Sequence, residues 1–215
     1  PFEIIKRSEK PLKICYLSKE YPPINFGGIG RYTYDLATTF AAKGHEVHVI
    51  TEGAEQDTVD FENGVWVHRL VNKLYEPFDD MVLGWNLSLQ ARNYFELDRI
   101  NKQSPIDIVN GPIWLCETGM ANCSRCYPTV LTLMTTQKIL NSLTEMPVKG
   151  SHPYKLMQLE ENDICQHKNI HAISNSILNN CREAMQDDVN AFIAPLGCRD
   201  LSSDYVAKKN SNKII

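Results

Sequence analysis

Short apolar runs and amphipathic stretches alternate along the whole chain. Residues 12–18 (LKICYLS), 47–51 (VHVIT) and 65–71 (VWVHRLV) are apolar enough to be strands covered on both faces. Between the first two, Thr33, Leu36, Ala37, Phe40 and Ala41 recur at i, i+3, i+4, i+7 and i+8, the stripe of an amphipathic helix over residues 31–43. Gly44 stops that helix, since glycine takes the left-handed conformation a helix end needs. The alternation continues with a helix over 82–102, a strand over 106–110, a helix over 115–125 and a strand over 129–134. A helix over 154–167, a strand over 171–173, a helix over 176–186 and a strand over 191–194 follow. Strands separated by helices pair in parallel through right-handed crossovers. The pattern therefore predicts an α/β fold, a Rossmann-like, doubly wound, mainly parallel sheet whose ligands bind beyond the carboxyl ends of its strands.

Residues 1–11 read as an N-terminal extension and residues 12–200 as the domain. Residues 201–215 read as a polar linker followed by KII, the start of a strand belonging to a further domain that is missing here. The opening has neither an initiator Met nor the apolar core of a signal peptide, as expected of a piece of a longer chain. Lys and Arg total 22 against 26 Asp and Glu, a formal charge of −4, which excludes a general nucleic-acid binder. No apolar run approaches the roughly 20 residues that span a bilayer. Seven cysteines, odd in number and scattered, fit a reduced, cytoplasmic setting better than a disulfide framework. Cys116, Cys123 and Cys126 include one C-x-x-C, but a structural zinc site takes four ligands and no second pair exists, so no metal is predicted.

Chemistry concentrates in YPPINFGGIGRY, residues 21–32. Gly27, Gly28 and Gly30 lie between the first strand and the first helix. Glycines there permit positive φ and let a ligand approach the main chain. The helix then directs its free N–H groups and positive dipole end at the same place, an anion site best suited to phosphate, with Lys19 and Arg31 adding charge. It is not the dinucleotide fingerprint, although Glu52 follows the second strand. The third glycine position is Thr33, and the glycines fall about nine residues beyond the strand instead of in a tight turn after it.

The stretch KICYLSKEYPPINFGGIGRY, followed by KGHEVHVIT, resembles the opening of the retaining GT-B glycosyltransferases of the large group-1 family, family four. The resemblance runs on through IDIV (106–109), GPIW (111–114) with Glu117, residues 128–135, AISNS (172–176) and IAPLG (193–197), in the family's order. It implies the acceptor-side, N-terminal half of a two-domain enzyme. That enzyme moves a sugar from a nucleotide-diphosphate sugar to a carbohydrate or lipid-linked acceptor with retention of configuration. It implies no cofactor and no metal, with the nucleotide sugar as donor substrate, and a C-terminal domain of the same protein as partner. It leaves peripheral membrane contact open. The fragment alone is then expected to be inactive, because the family's acidic E-x7-E motif and main phosphate-binding Arg and Lys belong to the other domain.

The resemblance carries Gly27, Gly28, Gly30 and Arg31 over as phosphate-binding residues and Ser174 as a serine lining the cleft. Glu117 matches a cleft-facing acid, against which stands a solvated glutamate opening a helix. Ser174 is equally suited to cap the helix after it. Trp114 shapes an acceptor site or simply packs, and His45 occupies a turn away from the cleft. Many relatives place a histidine at the end of the strand over 129–134, where this chain has Met134, so the catalytic residue is unassigned, with Thr135 and Glu117 as candidates and Thr136 beside them. Two other functions stay open: a non-catalytic sugar- or nucleotide-binding domain, and a nucleotide-sugar epimerase of the same architecture. A dehydrogenase domain is the remote third.

Overall fold

A computed structural model describes residues 10–24, 27–79 and 81–197. The extension (1–11) and the linker (201–215) therefore fall almost wholly outside the described residues. Eight strands form one sheet: β1 (Lys13–Leu17), β2 (Glu46–Glu52), β3 (Thr58–Glu62), β4 (Val65–Leu70), β5 (Ile108–Pro112), β6 (Thr129–Leu133), β7 (Asn169–Ala172) and β8 (Asn190–Ile193). Their order across the sheet is β3-β4-β2-β1-β5-β6-β7-β8. Every pairing is parallel except β3 with β4.

The antiparallel edge strand β3 is absent from the apolar pattern, because TVDFE is mostly exposed. Its signal is the dipeptide Asn63-Gly64, both at positive φ (51° and 83°), which turns β3 into β4 as a hairpin. Among the described residues the α-helices are α1 (Gly28–Ala42), α2 (Gly84–Gln103), α3 (Gly119–Ser124), α4 (Gln137–Ser142), α5 (His152–Gln166) and α6 (Asn175–Cys181). Of these, α4 was not predicted: it is a single short helix after β6. The predicted helix over 115–125 is broken, since Leu115 and Cys116 stand at φ 62° and 54° and only α3 remains helical.

Alternation along β1 shows why both faces are covered. Ile14 and Tyr16 pack with Val47, Val49 and the apolar stripe of α1, including Ala37 and Phe40. Cys15 and Leu17 pack on the opposite face with Ile50 and with Leu97 and Ile100 of α2. Farther along that second face, Leu131, Leu133 and Ile170 pack against Ile164 of α5. Such burial is worth about 1.5–3 kcal/mol per large side chain relative to exposure. From β1 the chain winds outward to β2 and β4, then returns through α2 to β5 on the other side of β1. The carboxyl ends of β1 and β5 thus flank the switch point, where a doubly wound sheet opens a crevice.

Candidate functional site at the strand ends

The glycine stretch does not form a loop with left-handed residues. Gly28 and Gly30 lie inside α1, and Gly27 precedes it in an extended conformation (φ −95°, ψ −166°). The expected positive φ is therefore corrected: these glycines serve by lacking a side chain. A Cβ on Gly27 would stand 2.5 Å from Glu20 Oε2, whereas one on Gly28 would meet nothing within 4 Å. Gly27 makes room for an internal acid, and Gly28 leaves an open approach to the helix end.

Glu20, which the sequence did not single out, accepts a hydrogen bond from the Gly30 N–H at 3.2 Å. A carboxylate of the chain itself thus occupies part of the position expected for phosphate, as the helix dipole favours. Arg31 does not turn toward that position. It is exposed and donates to Asp35 Oδ2 one helical turn on, at 2.7 Å, and this bond with Asp35 holds its guanidinium above the usual range. Lys19 Nζ lies 3.6 Å from Glu52, so Glu52 neutralises a lysine instead of reaching for a ribose.

Glu117 is the most unusual group of the site. The left-handed pair Leu115 and Cys116 swings it from the end of β5 toward the end of β1. Two consecutive non-glycine residues in that conformation are costly, and such strain collects at functional sites. Glu117 is only 2% exposed, so it is no solvated helix-opening glutamate. Burial pushes its carboxyl up to about 7, against the Lys19 N–H and the Arg92 and Lys19 charges, with Glu20 adding to the rise. Its Oε2 has no hydrogen-bond partner. A carboxyl poised near neutrality at a switch point suits proton exchange. Its cationic neighbour Arg92 was also missed. It is buried under the end of β4 and donates to the Leu70 carbonyl at 2.7 Å and to Asn93 Oδ1 at 3.0 Å.

The strand ends beyond β5 are mostly occupied by structural duties. Ser174 caps α6, its Oγ accepting from the Ile177 N–H at 3.2 Å, as the sequence allowed. Thr136 caps α4 in the same way and is buried. Met134 is buried, 8% exposed, while Thr135 beside it is exposed. Of the two threonines, Thr135 is the exposed one and Thr136 is spent on the helix cap. Glu160 of α5 holds this segment by accepting from the Gln137 N–H at 2.6 Å. Trp114 is half-buried in the turn ahead of Glu117, and His45 accepts from the Leu12 N–H in the turn after α1, a structural role.

A third missed residue ties α1 to the far strands. His171 of β7 lies 2.8 Å from the Ala194 carbonyl through Nε2, which must carry the proton to donate there. Its Nδ1 is then an acceptor for one of the two hydroxyls beside it, those of Tyr32 and Thr132, both at 3.3 Å. The ring stacks on Phe192 at 5.1 Å. The first turns of α1, the end of β6 and the chain leaving β8 are thereby fixed to one another. Of the three cysteines weighed as metal ligands, Cys116 is buried while Cys123 and Cys126 are exposed, and among the described residues no three His, Cys, Asp or Glu side chains are placed to hold a metal. No helix among the described residues is long and apolar enough to cross a membrane.

Comparison with known proteins places this architecture. The glycogen synthase of Mycobacterium tuberculosis is 27% identical over 141 residues, 59% of this chain but 34% of that protein, so the chain spans about a third of its length. Among solved structures, sucrose-phosphate synthase from Thermosynechococcus elongatus superposes with a TM-score of 0.65 at 12% identity, over 86% of this chain and 48% of that one. UDP-glucose: anthocyanidin 3-O-glucosyltransferase in complex with UDP does so with a TM-score of 0.55 at 9% identity, over 90% of this chain and 54% of that one. These two likenesses concern the fold. The sequence profile of the family described as Glycosyltransferase Family 4 matches residues 26–189, from just before the glycines to the threshold of β8, and by that match the chain belongs to Glycosyltransferase Family 4.

Proposed function

We propose that this chain is the acceptor-side half of a retaining, metal-independent glycosyltransferase, which moves a sugar from a nucleotide-diphosphate sugar to a carbohydrate or lipid-linked acceptor. The observation that carries it is the juxtaposition at the β1–β5 switch point. There Glu20, bonded to the Gly30 N–H in the first turn of α1, stands near enough to Glu117 for its charge to add to the rise of that buried carboxyl, which is held up to about 7. The family membership and the 34% span of the glycogen synthase relative support a two-part cleft of which this is one part.

In that cleft the α1 amides at Gly28 and Gly30 meet a phosphate group, which displaces the Glu20 carboxylate from the Gly30 N–H. Fixed amides and a helix end stabilise charge on a leaving diphosphate without reorganising. Glu117 takes or returns a proton at the floor, and the exposed Thr135 hydroxyl contacts the sugar where relatives have a histidine. Arg31, paired with Asp35, contributes long-range charge only.

The test is an assay for release of nucleoside diphosphate from a panel of nucleotide-diphosphate sugars. The 215 residues alone should show no turnover, because half of the positioning is absent. The full polypeptide carrying them should be active with at least one donor. Absence of turnover by the full polypeptide with every donor, together with saturable sugar binding, would favour the non-catalytic reading, which the buried thioether of Met134 in place of a histidine supports.

A further inference from the structure

Away from the cleft, four side chains form one line through the protein: Glu46 and His48 of β2, His68 of β4 and Glu96 of α2. Glu46 Oε1 lies 2.9 Å from His48 Nε2, and His48 Nδ1 lies 2.9 Å from His68 Nε2. His68 Nδ1 then lies 2.6 Å from Glu96 Oε1. Each distance is that of a hydrogen bond, so each of the three contacts needs one proton. Two neutral imidazoles carry only two, one per ring. The third proton either sits on a carboxyl or makes one ring an imidazolium.

The surroundings decide between these. Burial tends to raise Glu96, but bonds from Arg99 and His68 override it and bring the carboxyl down to about 2. Glu46 is half exposed and lies 3.0 Å from Lys13 Nζ, and the bond from His48, with the Lys13 charge, holds it below the usual carboxylate range. Both ends of the line are therefore carboxylates, which only accept. Arg99 Nη2 stands 3.5 Å from His68 Nδ1, at the limit of a hydrogen bond, and a bare nitrogen there would face the Glu96 oxygen at 2.6 Å. Burial pushes His48 down, which makes it the neutral ring. His68, only 3% exposed, is left to donate from both nitrogens. The charged and titratable groups around the pair are Lys13 and Cys15 of β1, Glu46 of β2, and Glu96 and Arg99 of α2, and burial keeps the Cys15 thiol neutral.

We propose that the His48–His68 pair holds three protons between its two carboxylates and works as a pH-sensitive clasp joining β2, β4 and α2. In the closed form His68 donates to Glu96 and to His48, and His48 donates to Glu46. When one proton is lost, three contacts share two protons and one contact opens. The exposed end yields. The proton on His48 Nε2 leaves past Glu46 to water, and the proton between the rings passes from His68 Nε2 to His48 Nδ1. His48 Nε2 is then bare, and the Glu46 carboxylate turns from it to solvent and Lys13, while the two buried contacts persist. The two rings titrate as one unit, and the clasp does not depend on the glycosyl-transfer proposal, so the two fail separately.

The experiment counts ring protons by NMR of the nitrogen-15-labelled 215-residue chain. At pH 7 three of the four ring nitrogens should be protonated, with His48 Nδ1 the bare one. Raising the pH should remove one proton in a single step and move His48 to its Nδ1–H form. Two carboxamide variants should send the line in opposite directions, because a carboxamide can donate the missing proton itself. Glu96→Gln should leave both rings neutral and protonated at Nε2, and Glu46→Gln should leave both neutral and protonated at Nδ1. Should Glu96→Gln fail to fold, the change at half-exposed Glu46 decides alone. Two protonated ring nitrogens at pH 7 in the unaltered chain overturn the proposal, as does a third proton kept in either variant. So does a His48 tautomer that stays the same up to pH 10.

Discussion

Two lines of polar side chains, buried at their centres, run beneath the same face of the sheet, and they are finished in opposite ways. Under α2, Glu46 lies 2.9 Å from His48, His48 lies 2.9 Å from His68, and His68 lies 2.6 Å from Glu96, which Arg99 closes at 2.6 and 2.8 Å. All four ring nitrogens have a partner. Under the Leu115–Cys116 turn and α5, Glu117, Asp163 and Glu160 each keep one oxygen without a partner. Burial tends to raise Glu96 too, but hydrogen bonds from Arg99 and His68 and their charges override it and bring it down to about 2. For Glu160 burial prevails over the bond from Gln137, and the carboxyl rises to about 8. A polar line that is complete stabilises the fold, and one left incomplete stores reactivity beside the cleft.

The largest consequence is a pair of opposite pH slopes. The folded pKa values of Glu117, Asp163 and Glu160 lie above the ordinary carboxylate range, so the folded state binds more protons than the unfolded state. Their stabilising contribution is fully present below about pH 4 and is lost as pH rises through about 6, 7 and 8. Glu96 has the reverse sign: its contribution is present above the ordinary range and is lost as pH falls toward about 2. Denaturant unfolding of the protein between pH 5 and 9 should show stability declining by several kcal/mol, and Glu160→Gln should flatten that decline. A stability that rises toward pH 9 would mean that the three carboxyls find partners in solution.

The comparison can be broken from the other side by Glu96→Ala, which leaves His68 and Arg99 facing a void. A loss of about 3 kcal/mol is expected in the same unfolding assay, the usual cost of stripping one partner from a buried ionic network. Glu160→Gln, which keeps an acceptor for the Gln137 N–H, should cost less than about 1 kcal/mol at neutral pH. Equal losses from the two would show that completeness of hydrogen bonding does not separate the two lines.

At the strand ends, Thr135→Val in the active full polypeptide should lower turnover about tenfold, near 1.4 kcal/mol, with Met134→Ala producing a smaller change. Neutrality of both would remove this segment from the site. The smallest effect expected is at α1. Glu20→Gln should tighten binding of inorganic phosphate by a few-fold, below about 1 kcal/mol, because it removes the internal anion from the helix end. Gly28→Val should abolish that binding by closing the open approach, and titration calorimetry reads both. Phosphate affinity indifferent to both changes would leave the glycines as packing devices for Glu20.

How much of this was legible in advance differs by element. The stripe of α1, the buried runs of β1 and β2, and the Ser174 cap are local facts, and local sequence shows them. Residues 26–189, which span β2 through β7, also carry the family's sequence pattern. The hairpin at Asn63-Gly64 was readable and overlooked. The break at Leu115 and Cys116 was not, because neither residue type favours positive φ and only packing against α5, α2 and β5 holds the turn there.

By itself the sequence determined the alternation of strand and helix, the parallel sheet, the place of the crevice and the family. Each follows from periodicity and chain order, which a one-dimensional string records. Only the tertiary structure decided that Glu20 occupies the helix end, that Glu117 lies buried across the switch point, and that His171 joins α1 to the far strands. Those facts join residues tens of positions apart. Their chemistry is set by desolvation and by which partner is within reach, and neither quantity exists until the chain has closed around them.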